Sequence, residues 1–145
     1  MSKKHRDRAV EMRRKIAALL AVCIGLGFVL TSCGGDDGAD TKAAFVYVGP
    51  VGDAGWTYAH DEGRQYAESE TGVETAYVEA VPEGTADFAN YVRDFIDQGY
   101  NVIIGTSFGY MDDMLALADE YPDVVFEHVS GYKMNDSNFG NTFGR

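Results

Sequence analysis

The run Ala43 to Val48, AAFVYV, is almost wholly apolar and stops abruptly at Gly49-Pro50. A strand with one solvated face alternates apolar and polar residues. A short strand without that alternation is buried on both faces, as strands are in parallel sheets covered by helices. Further strand candidates are Val73 to Val81, Val102-Ile103-Ile104-Gly105 and Val124 to Val129, VVFEHV. Helical spacing fills the intervals. Trp56, Ala59, Gly63, Tyr66 and Ala67 lead to Gly72, a natural helix stop. Phe88, Tyr91, Val92, Phe95 and Ile96 form one apolar stripe ending at Gly99, and Met111, Met114, Leu115, Ala118 and Tyr121 form another ending at Pro122. The order βαβαβαβ with short connections predicts right-handed crossovers and an open, doubly wound parallel α/β sheet with helices on both faces. The stretch from Asn135 to Arg145 is polar, and the pattern assigns Phe139 and Phe143 no partner helix, so the chain reads as interrupted.

The first 32 residues belong to a different kind of segment. Lys3, Lys4, Arg6, Arg8, Arg13, Arg14 and Lys15 make a basic start, and Ile16 to Leu30 is apolar. A spanning helix needs about twenty apolar residues, whereas a basic start, a shorter apolar run and a small-residue site make a signal peptide. The site here is Leu30-Thr31-Ser32-Cys33, followed by Gly34, Gly35, Asp36 and Asp37, and it resembles a bacterial lipobox. That resemblance implies a diacylglycerol on the Cys33 thiol and cleavage before it. A short membrane anchor with a buried Cys33 is the alternative, and the pair Arg13-Arg14 leaves twin-arginine export open beside the general route. Residues 34–42 are rich in Gly and Asp and read as a flexible tether, so the expected organisation is leader 1–32, lipidated tether 33–42 and globular region 43–145. The location expected for the processed chain is the outer face of the bacterial plasma membrane, in the periplasm or at the cell surface.

Charge narrows the partners. Of 12 Lys and Arg seven lie in the leader, and of 23 Asp and Glu two do, which leaves five cations against 21 anions and a net charge of −16 after processing. Such a surface repels nucleic acid. Cys33 is the only cysteine beyond the leader, so no disulfide can form within the processed chain.

In open α/β sheets ligands bind beyond the carboxyl ends of the strands. The first of those ends, Gly49 to Tyr58, is the most informative. Trp56 is the only tryptophan; at such an edge it either stacks on a planar ligand or plugs the top of the core. Asp53 either caps the following helix or accepts a hydrogen bond from a ligand ring N–H or hydroxyl. Phe108-Gly109-Tyr110 repeats the theme after the third strand, with Tyr110 equally suited to helix packing, and Ser130-Gly131-Tyr132 does so after the fourth. His60-Asp61-Glu62 are adjacent on a helix, point in different directions and cannot share a metal ion. His128, inside an apolar strand, reads as a satisfied core histidine. Gly49-x-x-Gly52-x-x-Gly55 is neither the dinucleotide fingerprint nor a phosphate loop. No nucleophile–base pair is visible. The expectation is binding without catalysis, and without cofactor or metal.

The segments AAFVYVGPVGDAGWTYAHDEGR, DFANYVRDFIDQGYNVIIGTSFGYMD and YPDVVFEHVSGY together resemble the basic membrane protein family, the PnrA-like substrate-binding lipoproteins of ABC importers. The resemblance runs from about Ala43 to Arg145. It implies one lobe of a type I periplasmic-binding-protein fold, with a second lobe missing from this chain, a purine nucleobase or nucleoside ligand, and delivery to a permease. By position it implies that Trp56 stacks on the purine, that Asp53 and Thr57 belong to the first binding loop, and that Phe108 and Gly109 belong to the loop after the third strand. Two positions depart from the pattern: Gly52 stands where a second acid is common, and Ser130 where an Asp is. Both remove negative charge, which makes a bare base such as adenine plausible. A sugar or amide ligand on the same fold, and a small extracytoplasmic flavodoxin-like enzyme, are the competing readings; the latter needs a catalytic constellation or phosphate loop. The lipobox assignment has a direct check. Cys33→Ser should abolish incorporation of labelled palmitate, and undiminished labelling would sink it.

Overall fold

The computed structural model describes residues 40–143. The leader, Cys33 and nearly all of the tether lie outside the described residues. The elements are β1 (Lys42–Val46), α1 (Trp56–Thr71), β2 (Glu74–Val78), α2 (Asp87–Asp97), β3 (Val102–Gly105), a single 3-10 turn (Phe108–Tyr110), α3 (Met111–Glu120), β4 (Val125–Val129) and β5 (Phe139–Thr142). All neighbouring strands are parallel, in the order β2-β1-β3-β4-β5. The α/β parallel sheet expected from the apolar runs is therefore present.

Register aligns Val78, Val46, Gly105, His128 and Asn141 in one row across the sheet. The chain leaves every strand at the same edge. On one face Ala44, Val46, Ile103, Phe126 and Phe139 meet Phe88 and Val92 of α2 and Met114, Leu117 and Ala118 of α3 in the main core. The apolar stripes of α2 and α3 were legible because this face is packed entirely by hydrophobic burial. Gly105 is part of the fit: a β-carbon there would overlap the Met114 sulfur.

The opposite face, covered by α1, differs from expectation. The inward residues of α1 are Thr57 and Asp61, while Tyr66 is 67% exposed. Asp61 accepts hydrogen bonds from Arg64 Nε (2.7 Å), Gln65 Nε2 (2.6 Å) and the Tyr47 hydroxyl (3.3 Å). The Arg64 guanidinium lies 4.9 Å from the centre of the Tyr77 ring. Burial works against ionisation of Asp61, and its donors, Arg64 foremost, outweigh it and hold the carboxyl below its usual value. Helical spacing found α1, but apolar periodicity chose the wrong inward face because that face is held by charge and aromatic contact. Gly72 closes α1 in the left-handed conformation, with φ 72°.

The C-terminal segment also corrects the sequence reading. Phe139 is 2% exposed and opens a fifth strand beside β4, while Phe143 is 68% exposed just past its end. The short polar run FGNT lacks any strand periodicity, so only pairing with β4 reveals it. Its approach is built from asparagines. Asn135 Oδ1 accepts the N–H groups of Ser137, Asn138 and Phe139 at 2.9–3.0 Å. Asn138, 9% exposed, donates through Nδ2 to the carbonyls of Ala118, Tyr121 and Val124 at 2.9–3.1 Å. It thereby closes the carboxyl end of α3 and joins it to β4. Asn138→Ala removes the side-chain donor from the buried carbonyls of Ala118 and Val124, while the Tyr121 carbonyl keeps the Val124 N–H; each buried polar group left unsatisfied costs about 1–3 kcal/mol. Chemical denaturation should show a loss of about 2–3 kcal/mol with an unchanged slope, and a loss within a few tenths would refute this role.

Candidate functional site

The carboxyl edge concentrates strain. Among the described residues, the three non-glycine residues with positive φ are Ala54 (53°), Ala80 (57°) and Ser130 (75°), and they follow β1, β2 and β4 respectively. Each such backbone costs of order 1–3 kcal/mol, and conformations of this kind cluster at ligand sites. Their common location marks this edge independently of any side chain.

The first loop is fastened by two carboxylates. Asp53 Oδ1 accepts from the N–H groups of Gly55 (2.8 Å) and Tyr58 (3.0 Å), and Oδ2 from that of Thr57 (3.0 Å). The Tyr58, Gly55 and Thr57 amides hold its carboxyl down at about 2. Asp53 thus caps α1, one of its two sequence readings. A carboxylate has about four acceptor positions, so one is left after these three bonds. Glu79 Oε2 accepts the Val51 N–H at 2.6 Å from the β2–α2 loop.

Trp56, the first residue of α1, is 47% exposed. Its indole Nε1 donates to the Thr106 carbonyl at the end of β3 (2.6 Å), and the His60 ring packs 4.5 Å from it, centre to centre. The indole stands upright at the edge with its nitrogen anchored, and it does not plug the core. Thr57 is fully buried, with its Oγ1 unpaired and directed at Gly49. It lies beneath the first loop, because position 57 falls on the inward side of α1, one turn before Asp61.

The third loop presents Phe108, 56% exposed, with the Tyr132 ring 6.3 Å away and itself 69% exposed. Tyr110 turns inward. It stacks on Phe88 at 4.3 Å and donates to the Val81 carbonyl at 2.5 Å, so it is a core residue. Gly109 is exposed, but its N–H donates to Glu83 Oε1 at 2.9 Å. A β-carbon at Gly109 would overlap the Glu83 carboxylate. Ser130 ends β4, its N–H donating to the Thr142 carbonyl at 2.9 Å. His128 is fully buried; Nε2 lies 2.7 Å from the Ser107 carbonyl and Nδ1 is unpaired, so it is only half satisfied.

The structure therefore brings Trp56, Phe108 and Ser130 to one edge, with Asp53 beside them, and sets Thr57 below it. Sequence reasoning did not single out Glu79, Glu83 or Phe143. All three lie at strand ends, which was the available signal. Each of the four Lys and Arg among the described residues is paired with a carboxylate, Lys133 at this edge with Asp112. The described edge thus offers aromatic faces and hydrogen-bond acceptors but no unpaired cation. Among the described residues no group of three or more His, Cys, Asp or Glu is placed to hold a metal ion. A groove lined by Asp40, Thr41, Lys42, Ala67, Thr71, Gly72, Val73 and Glu74 lies at the opposite edge of the sheet.

These features define the class of fold: an open parallel α/β sheet with exposed aromatic rings at its carboxyl edge. Residues 40–145 match the family described as ABC transporter substrate-binding protein, PnrA-like, and the chain belongs to that family. It is 42% identical over 124 residues to a putative ABC transporter glucose-binding protein of Haloferax volcanii, covering 82% of this chain and 30% of that protein. It is 45% identical over 98 residues to a purine-binding protein of Brucella abortus, covering 66% and 28%. The chain thus spans about 30% of the length of these relatives. In fold it is similar to a solved transcriptional activator of the comK gene from Bacillus halodurans, with a TM-score of 0.61, 21% identity and coverage of 69% of this chain and 33% of that one. It is also similar to an ABC transporter solute-binding protein from Conexibacter woesei, with a TM-score of 0.57, 19% identity and coverage of 62% and 29%.

The Asp53 cap has a pH signature. Its carboxyl lies lower in the folded state than its ordinary 3.8. Its contribution is complete above pH 3.8 and is lost as pH falls through about 2. Melting curves of Asp53→Asn should therefore show a smaller drop between pH 4 and pH 2 than wild type; parallel curves would refute the cap.

Proposed function

We propose that this chain is the N-terminal, ligand-contacting lobe of a solute-binding lipoprotein of an ABC importer, and that its ligand is a purine nucleobase or nucleoside. The observation that carries this reading is the aromatic edge itself. Trp56 is held by its own nitrogen with half its surface open, and Phe108 and Tyr132 stand along the same edge. Stacking of a base on an aromatic ring is worth about 1–3 kcal/mol. The remaining acceptor position of Asp53 and the end of β4 at Ser130 supply hydrogen bonds to ring N–H groups. Thr57 and Gly109 support from behind, Thr57 under the first loop and Gly109 against Glu83. The paired state of the described cations disfavours a phosphorylated ligand. The similarity to a protein named purine-binding is consistent with this.

The lobe is half of a clamp. Ligand bridges two lobes and shifts a hinge equilibrium toward the form a permease recognises. The lipid on Cys33 and the tether of residues 34–42 keep the receptor on the extracytoplasmic side of the membrane and raise its concentration near that permease. The reading includes no chemical step.

A second reading is a non-purine solute on the same edge. The relative named glucose-binding favours it, and sugars also stack on Trp and bond to Asp. One titration separates them. Trp56 is the only tryptophan, so its emission reports occupancy. Adenine, guanosine, ribose and glucose, tested in parallel on residues 33–145, should give a purine response only, at millimolar rather than micromolar concentration because one lobe is engaged. A glucose response without a purine response moves the assignment to the second reading. Micromolar binding by this lobe alone overturns the clamp.

A further inference from the structure

Phe108 is exposed on a short loop, yet the residues on both sides of it are tied to one side chain. Glu83 reaches from the β2–α2 loop, and its Oε1 accepts both the Ser107 hydroxyl and the Gly109 N–H. These contacts bracket Phe108 at the preceding and following residues. The fit is close enough that a β-carbon at Gly109 would displace the Glu83 carboxylate from its present position. The same loop is joined to the tryptophan, since Thr106, one residue before Ser107, accepts the Trp56 indole N–H. Its other side rests on His128, whose Nε2 meets the Ser107 carbonyl. Glu83 itself is positioned by buried neighbours: Val81 is 1% exposed and its carbonyl receives the Tyr110 hydroxyl.

We infer that Glu83 is the positioning residue of this binding edge, holding the 106–109 loop so that Phe108 and Trp56 present their rings together to a planar ligand. It makes no ligand contact in this role. The inference rests on the proposed reading of the edge as a purine site. An exposed loop left to itself samples many backbone states, and ordering it costs about 1–2 kcal/mol per residue fixed. A carboxylate that pre-orders the loop removes that cost from binding, the general basis of preorganisation. Hydrogen bonds to a charged acceptor are the strong kind, which suits a brace lying near solvent. The Ser107 hydroxyl and the Gly109 amide hold the Glu83 carboxyl below its ordinary value, consistent with an ionised brace.

The test uses isotopically labelled residues 33–145, which contain the whole five-stranded sheet and its helices. Without ligand, Glu83→Ala should speed hydrogen exchange of the Gly109 amide by about tenfold or more and shift the Trp56 indole N–H resonance. Glu83→Gln, which keeps an acceptor oxygen, should restore most of both. With adenine titrated to high concentration, Glu83→Ala should weaken binding about tenfold. In a Phe108→Ala background the same substitution should cost clearly less, because the part of its effect that passes through Phe108 is gone and only the part through Trp56 remains. Unchanged Gly109 exchange in Glu83→Ala overturns the inference. So does an equal loss of affinity with and without Phe108, which marks Glu83 as a direct contact or a general stabiliser. If wild type responds to no purine, the purine reading fails by itself, and the exchange result still decides whether Glu83 orders the loop.

Discussion

The end of β1 is the junction on which the rest of the structure depends. Ala44 and Val46 are fully buried, and β1 is paired on both sides along its length. Past Val46 the pairing continues into both neighbouring loops. Tyr47 donates to the Val78 carbonyl and accepts from Val81 N–H, and the Val46 carbonyl receives both the backbone N–H and the hydroxyl of Thr106. One strand end therefore fixes where the second and third loops begin. Because buried backbone groups must be satisfied, these bonds are hard to rearrange without losing the sheet.

Beyond that junction the edge is organised by carboxylates. Asp53 closes the first turn of α1, Glu79 holds Val51, and Glu83 holds Ser107 and Gly109. These acids bond to the protein's own loops, while the large aromatics at the same edge keep exposed surface. That division suits a binding site. Polar groups set the backbone, and the rings remain free for a flat, uncharged partner. The left-handed residues Ala54, Ala80 and Ser130 are the strain that accompanies such an arrangement.

The two faces of the sheet are built by different physics. The α2–α3 face is a continuous apolar core. The α1 face rests on an ion pair, a tyrosine hydroxyl and a cation–aromatic contact around Asp61 and Arg64. Toward β4, Val125 on the α1 face is half exposed. The chain spans about 30% of its relatives' length.

The sequence by itself determined the strand–helix alternation, the parallel sheet and the family. Each follows from patterns that a one-dimensional chain carries: apolar runs, period 3.6, stop residues at Gly72 and Gly99, and a motif around Trp56. It also left Asp53, Trp56 and Tyr110 with two readings each. Only the tertiary structure chose among them, making Asp53 a cap, Trp56 an exposed ring with its nitrogen anchored, and Tyr110 a core residue. Thr57 moved beneath the loop, Phe139 into a fifth strand, and the inward face of α1 onto Asp61. Glu83 lies in the loop after the second strand, and only the structure shows that it meets Ser107 and Gly109. Several of these outcomes rest on contacts between residues far apart in the chain, such as Trp56 with Thr106 and Glu83 with Gly109. Hydrophobic periodicity records which residues leave water. It does not record which carbonyl a side chain will meet once they have.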